Sequence, residues 1–362
     1  METIRLIKPY IAFNEVEDDF RAVFENGIFT RGEHVAAFAE EISVYTGAKH
    51  AFLTSSATTA LWVCLKALGI GPGDEVAVSD FSFPATANVV EDLGARPVFV
   101  DVAAETYNMR TDDLEAKITH RTKAVLFVDA LGNPSGIHAI KAVCEAHGLP
   151  LIEDAACAIG SSENDRRCGS IADLTCFSFH PRKLLSTGEG GAITTDREDW
   201  AEWLRVKLLH GGNGMNGIGM DFVDYGYNFR MSELQAIMGR KQLTNIEDIV
   251  DERNATRDEF IELLSPMGFV PQSIGPGVRY NVQSLVFRTP EKIDRNRLVG
   301  ALRTAGVETT LGTYCQSGTK YYRNKYNDVQ PVSEALEAMT LTLPCYRDVP
   351  VHSVVEQIKW LL

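Results

Sequence analysis

Between Glu75 and Ile152 the chain alternates short apolar runs with helix-length segments, and this restricts the possible fold more than any other feature. Residues 75–78, 97–100, 124–128 and 149–152 read as strands, and 86–93 and 137–147 as the helices among them. Strands joined through helices run parallel, and right-handed crossovers bring their C-termini to one edge of the sheet. At 362 residues the chain exceeds what one hydrophobic core usually organises. The expectation is an α/β protein with a large domain, 1–245, carrying a mostly parallel sheet and an N-terminal helical segment. A small C-terminal α+β domain, 246–362, would follow, with strands at 282–287 and 341–344 and helices at 295–305 and 351–362. From Met231 onward, Leu234, Met238, Leu243, Ile246 and Val250 keep helical spacing, which predicts one long helix linking the domains. The first 45 or so residues read as two helices around the turn 26–32. The glycine-rich segment 210–219 reads as a mobile or close-approach loop.

Two strand ends carry chemistry. Leu151-Ile152-Glu153-Asp154 ends on a carboxylate. The apolar run Leu174, Cys176, Phe177, Phe179 empties into His180-Pro181-Arg182-Lys183 and a glycine-rich turn ending at Gly191. In parallel strands of one sheet, Asp154 and Lys183 would face the same pocket. A loop lysine is ordinarily solvated, and a strand-end aspartate is ordinarily a helix cap. Together they are what pyridoxal phosphate chemistry needs: a lysine for the Schiff base and an acid for the pyridinium nitrogen. Thr58 and Thr59 at a helix start, with Ser178, would supply phosphate donors. Phe83 lies just beyond a strand end, where a ring could stack on the cofactor, although ordinary core is its bland alternative. For His180, a hydrogen-bonded loop role competes with acid–base work.

Charge and cysteine usage narrow the classes further. A net charge of −14 argues against nucleic acid or an anionic membrane as partner, so an anionic substrate would need a local basic site. Seven scattered cysteines without a CxxC pair, and no signal peptide or membrane-length apolar run, give a cytoplasmic expectation. Gly69-Ile70-Gly71-Pro72-Gly73-Asp74 follows a helix and precedes a strand, the wrong order for a dinucleotide turn. Residues 312–320 lack the Gly-Lys-Ser/Thr ending of a phosphate loop, and the histidines show no zinc spacing, so no metal is expected.

With these residues in place, the chain resembles the DegT/DnrJ/EryC1/StrS family of sugar aminotransferases over nearly its whole length. The resemblance is carried by residues 67–76, Pro97-Val98-Phe99-Val100-Asp101-Val102, Glu153-Asp154-Ala155-Ala156, the 178–191 stretch and Gly226-Tyr227-Asn228-Phe229-Arg230-Met231-Ser232-Glu233. It implies the type I (aspartate aminotransferase) fold of pyridoxal phosphate enzymes. Lys183 would be the attachment lysine and Asp154 the partner of the ring nitrogen. Ser178 and the Ala57-Thr58 turn would hold the phosphate, and Phe83 would stack on the ring. Asn228 would reach the cofactor phosphate of the other subunit of a homodimer. Thr30, His180 and Tyr314 are the substrate-side candidates, with 27–32 and 211–219 bordering a sugar-nucleotide cleft. Two departures stand out. Cys157 occupies a position where the family often has Gln or His touching a cofactor oxygen, and a thiol is a poorer partner. The family's Tyr…Pro-x-His segment is replaced by Thr313-Tyr314-Cys315-Gln316-Ser317. The activity the resemblance implies is transfer of an amino group from an amino acid, with glutamate as the expected donor, to a keto-sugar, expected to be nucleotide-linked, for aminosugar, polysaccharide or natural-product synthesis. Alternatives are a sugar dehydratase of the same fold, whose relatives carry His at the position of Lys183, and a non-catalytic cofactor-binding protein.

Overall fold

Residues 122–128 alternate between two cores, which explains why this run has no polar face. Ala124, Leu126 and Val128 pack with Leu61, Val63 and Val90, whereas Val125 and Phe127 pack with Ile137, Ile140 and Leu151. In the computed structural model, which describes residues 3–362, this strand lies within a seven-stranded sheet. The strands are β1 (His50–Thr54), β2 (Glu75–Ser79), β3 (Arg96–Val100), β4 (Thr122–Val128), β5 (Leu151–Asp154), β6 (Leu174–Ser178) and β7 (Gly191–Thr195), in spatial order β1-β7-β6-β5-β4-β2-β3. From β6 across to β3 every pairing is parallel, and β7 alone runs antiparallel to both its neighbours. The mostly parallel sheet expected from the alternation is therefore present, and Asp154 and Ser178 close two adjacent parallel strands at the same edge.

The helices Glu17–Asn26 and Glu33–Thr46 flank the turn at 27–32, as expected. Glu233 reaches back to this turn, its carboxylate accepting from the N–H groups of Gly32, His34 and Val35. A Cβ at Gly32 would lie 2.8 Å from that carboxylate, so a side chain there would push Glu233 off the turn.

The single linking helix is not observed. Helices Glu233–Leu243 and Ile246–Leu264 are separated at Thr244 and Asn245, whose side chains donate back to the carbonyls of Arg240 and Lys241. Such back-bonding competes with the helical ladder, and apolar spacing alone does not register it. The segment 210–219 also differs from expectation: Gly212–Asn216 and Gly219–Phe222 pair as an antiparallel hairpin.

Beyond these helices a four-stranded antiparallel sheet is built from β8 (Val270–Pro271), β9 (Leu285–Arg288), β10 (Thr310–Leu311) and β11 (Thr340–Leu343), in the order β8-β9-β11-β10. Phe260, Phe287, Leu298, Leu341, Val354 and Ile358 form its core. Two short antiparallel ladders tie this region to segments that follow strands of the large sheet: Tyr314–Cys315 pairs with Phe81–Ser82, and Val278–Arg279 with Ser162–Glu163. No helix among the described residues is long and apolar enough to cross a membrane.

Candidate active site

A cavity of about 690 Å³ opens at the C-terminal edge of β5 and β6, where ligands sit in open α/β sheets. Asp154, Ser178 and Lys183 line it, as do Ala57, Thr58, Phe83, Cys157, His180 and Tyr314. Of the residues singled out in the sequence, Thr59 is not among its lining, nor are Thr30 and Asn228. Both are exposed on this chain, and Thr30 forms a bridge to Ser232.

Asp154 ends β5 and is 5% exposed. Its carboxylate accepts from Thr86 Oγ1 at 2.9 Å and from the Ala156 N–H at 3.2 Å. Burial raises its pKa above the usual carboxylate range, opposed in turn by Thr86, the Ala156 N–H and the charge of Lys183. A buried carboxylate with this residual electrostatic demand is stabilised by a cation brought to it inside the cavity.

Lys183 stands on a turn clamped from a distance. Its N–H donates to His180 O at 2.8 Å. On either side, Gln283 Nε2 donates to Arg182 O at 2.8 Å and Gln283 Oε1 accepts from the Leu184 N–H at 2.6 Å. Gln283 is aimed by its neighbour Val282, a β-branched residue at φ 53°, in a backbone region such residues rarely adopt. The buried guanidinium of Arg253 holds this bend by donating to the carbonyls of Val282, Gln283 and Cys345. Lys183 Nζ itself donates to Cys157 Sγ at 3.0 Å.

The anion-binding end forms at helix Ala57–Ala67. Ser56, rather than Thr58, is its N-cap: Ser56 Oγ accepts from the Thr59 N–H, and Thr59 Oγ1 accepts from the Ser56 N–H. This capping box engages the Thr59 hydroxyl, so Thr59 is withdrawn from the donor set expected for a phosphate. The Ala57 and Thr58 N–H groups remain ahead of the first intrahelical bond, where the helix dipole favours an anion. Gly191, opening β7, passes so close that a Cβ there would lie 2.6 Å from Ser56 C and 2.8 Å from Ala57 N. Across the cavity mouth Phe83 and Tyr314 meet edge to face at 6.3 Å, placed by the Phe81–Ser82/Tyr314–Cys315 ladder.

His180 accepts the Arg182 N–H on Nδ1 and lies 3.9 Å from Glu189. Burial lowers its pKa, Glu189 pulls it up, and Lys183 and Arg182 lower it further. Several residues here carry no sequence signal of their own. Thr86 is one helix residue among several, Gln283 belongs to an apolar run, and Arg182 reads only as a neighbour of Lys183. Asp80, wholly buried beyond β2, accepts from the Ser317 N–H at 2.7 Å, Ser317 Oγ at 2.8 Å and Cys315 Sγ at 3.2 Å, fastening the Tyr314 segment.

This donor set fits pyridoxal phosphate: a lysine amine, a buried acid reached from the same cavity, free helix-terminal N–H groups, and an aromatic ring at the mouth. The comparisons with known proteins agree. The model of the DegT/DnrJ/EryC1/StrS aminotransferase family matches residues 12–359. The chain is 34% identical to the spore coat polysaccharide biosynthesis protein SpsC of Bacillus subtilis, covering 97% of this chain and 95% of SpsC. A crystal structure of a DegT/DnrJ/EryC1/StrS aminotransferase from Brucella abortus superposes with a TM-score of 0.88 at 30% identity, covering 96% of this chain and 95% of that one. The putative sugar aminotransferase Spr1654 of Streptococcus pneumoniae, in its PMP form, gives a TM-score of 0.93 at 26% identity, over 99% and 98% of the two chains. With a family model matching nearly end to end and this site at the sheet edge, the chain belongs to the DegT/DnrJ/EryC1/StrS aminotransferase family and is a pyridoxal-phosphate-dependent aminotransferase of the type I fold.

Proposed function

We propose that this enzyme moves an amino group from glutamate to a keto-sugar carried on a nucleotide, in the synthesis of an aminosugar for a polysaccharide or related product. The observation that carries the reading is the presence of Lys183 in one cavity with Asp154, whose carboxylate feels the lysine's charge. Similarity to SpsC, named for spore coat polysaccharide biosynthesis, and to Spr1654, named as a putative sugar aminotransferase, supports a sugar acceptor.

When bound, the cofactor supplies a conjugated ring that accepts the electron pair released at the substrate carbon. In our assignment the Ala57 and Thr58 N–H groups and Ser178 hold its phosphate, Phe83 covers its ring, and Asp154 keeps a proton on its ring nitrogen. Thr86 and the Ala156 N–H orient that carboxylate. Lys183 Nζ takes and returns the proton at the reacting carbon, held in reach by the Gln283 clamp on its turn. Arg182, whose guanidinium has no partner among the described residues, offers the cavity's free positive charge to an anionic substrate.

Residues 1–245 would form the cofactor-binding domain and 246–362 the smaller domain. The working unit would be a homodimer in the cytoplasm. Met215, Ile218, Phe222 and Val223 on or beside the 212–222 hairpin, and Phe24, Ile28 and Phe29 near the 27–32 turn, are exposed apolar side chains. A second copy of this chain covering them would bring Asn228 to the partner's phosphate site and Thr30 to its substrate mouth.

The presence of Lys183 favours transamination over the dehydratase alternative. Incubating the enzyme with glutamate and a panel of nucleotide-linked keto-sugars tests this. Equal amounts of 2-oxoglutarate and amino-sugar are expected; a deoxy-keto product without 2-oxoglutarate would establish the dehydratase reading instead. Retention of the cofactor with a spectrum unmoved by any amino donor would establish a non-catalytic protein.

A further inference from the structure

We propose that Asp129 and Glu153, buried behind the cofactor-facing edge of the sheet, share a single proton, so that the pair carries one negative charge next to Asp154. Asp129 follows β4 directly and Glu153 precedes Asp154 on β5. Both are 0% exposed, and Cys168 beside them is 2% exposed. One ligand atom from each of the three lies within 4.8 Å of the others.

The hydrogen-bond partners of the two acids differ. Glu153 Oε2 accepts from Thr175 Oγ1 at 2.7 Å and from the Gly169 N–H at 3.0 Å, which suits a carboxylate oxygen. Glu153 Oε1 and both oxygens of Asp129 are buried with no hydrogen-bond partner. Two ionised carboxylates left this way in a dry interior would each carry a large desolvation cost and would repel one another. A proton on Asp129 donated to Glu153 Oε1 removes the repulsion and satisfies one oxygen of each residue. Cys168, its thiol held protonated chiefly by burial, supplies a weak donor to the same cluster. Burial raises both carboxyls, and the charges of Glu153 and Asp154 raise Asp129 further. The titratable groups acting on the pair are Asp154, Cys168 and Cys176, and none supplies a cation.

The Asp129 N–H donates to Asp154 O at 3.2 Å, and β4 and β5 pair in register at Val128 and Asp154. This link runs through the backbone, so the Asp129 side chain acts on Asp154, the residue assigned to the ring nitrogen, through charge alone. The electrostatic consequence for Asp154 rests on that assignment; the shared proton does not.

The sign of the pH dependence follows from the raised proton affinity. The native state keeps a proton that the unfolded chain releases in the ordinary carboxyl range, so this contribution to stability is full at low pH and is lost as pH rises. The test uses the cofactor-loaded enzyme. Its infrared spectrum at neutral pH is expected to show the carbonyl band of a protonated buried carboxylic acid, shifted in D2O and absent from Asp129→Asn. Asparagine can donate to Glu153 Oε1 as the acid does, so this variant folds, and its melting temperature falls less steeply with rising pH than that of wild type. Because the pair keeps one negative charge, the pH midpoint of the cofactor absorbance band stays in place. Asp129→Leu, which cannot donate, melts lower than Asp129→Asn. Absence of the acid band from wild type would overturn the proposal, as would a shifted cofactor midpoint in Asp129→Asn. One equivalent of bound metal, with zinc chloride raising the melting temperature of wild type but not of Asp129→Asn, would replace the proton by a cation.

Discussion

Lys183 Nζ and Cys157 Sγ lie 3.0 Å apart across the cavity floor, with the thiol accepting from the amine. Cys157 is also the one cysteine of seven that is not buried. A thiol reagent of small size should therefore add once to the native protein, at Cys157, and disable the neighbouring lysine. Mass spectrometry after brief iodoacetamide treatment should show a single adduct and loss of more than about 90% of activity, with protection by bound cofactor. Cys157→Ser should resist the reagent and keep its fold. Labelling spread over several cysteines before activity falls would contradict this arrangement.

The clamp of Gln283 on the Lys183 turn predicts a defect in chemistry rather than in substrate binding. Gln283→Leu removes two hydrogen bonds, at 2.6 and 2.8 Å, and leaves Arg182 O and the Leu184 N–H without their side-chain partner. A misplaced catalytic amine costs on the order of 10²-fold in rate. The expected result is a fall in kcat of that order with KM nearly unchanged, read from steady-state kinetics. An unchanged kcat would show that the turn holds its shape without the clamp.

Arg182 lines the cavity with a guanidinium that no carboxylate among the described residues occupies, in a chain of net charge −14. Removing a hydrogen bond to a charged group costs about 1.5–3 kcal/mol. Arg182→Gln should therefore raise the KM of the substrate whose anion it meets by roughly 10- to 100-fold. Measuring the two half-reactions separately decides between the carboxylate of the amino donor and the diphosphate of the acceptor. Equal KM values for both substrates in variant and wild type would remove Arg182 from recognition.

Asp80 gives a pH-dependent contribution of defined sign. Burial pushes its carboxyl up to about 6 despite the hydrogen bonds from Ser317 and Cys315. Its stabilising contribution is complete below the unfolded carboxyl pKa of about 4 and is lost as pH rises through about 6, a change of roughly 3 kcal/mol. Asp80→Asn lacks that loss. Thermal melts of both proteins from acidic to neutral pH should show the variant gaining on wild type as pH rises, and a constant difference would refute the protonation.

The sheet, the strand-end position of Asp154 and the loop position of Lys183 were legible because each depends on local pattern: apolar runs of strand length, their alternation with helices, and abrupt polar ends. The meeting of Asp154 and Lys183 in one cavity followed from parallel strands, a rule that needs no coordinates. Local pattern misled where a side chain competed with the backbone. Thr244 and Asn245 break the expected long helix, the 210–219 segment pairs with itself, and Thr59 turns back to cap its own helix.

What only the tertiary structure decided are the contacts between residues far apart in the chain. Gln283 meets Arg182 across 101 residues, and Asp80 meets Ser317 across 237. Cys157 reaches Lys183 only because β5 and β6 lie side by side, and Asp129 faces Glu153 only because β4 and β5 do. Glutamine, serine and aspartate are common surface residues, and nothing in their neighbourhood in sequence marks these as buried. Their roles come from the loss of water around them, which makes each unpaired polar atom costly and obliges a distant partner to supply the missing hydrogen bond.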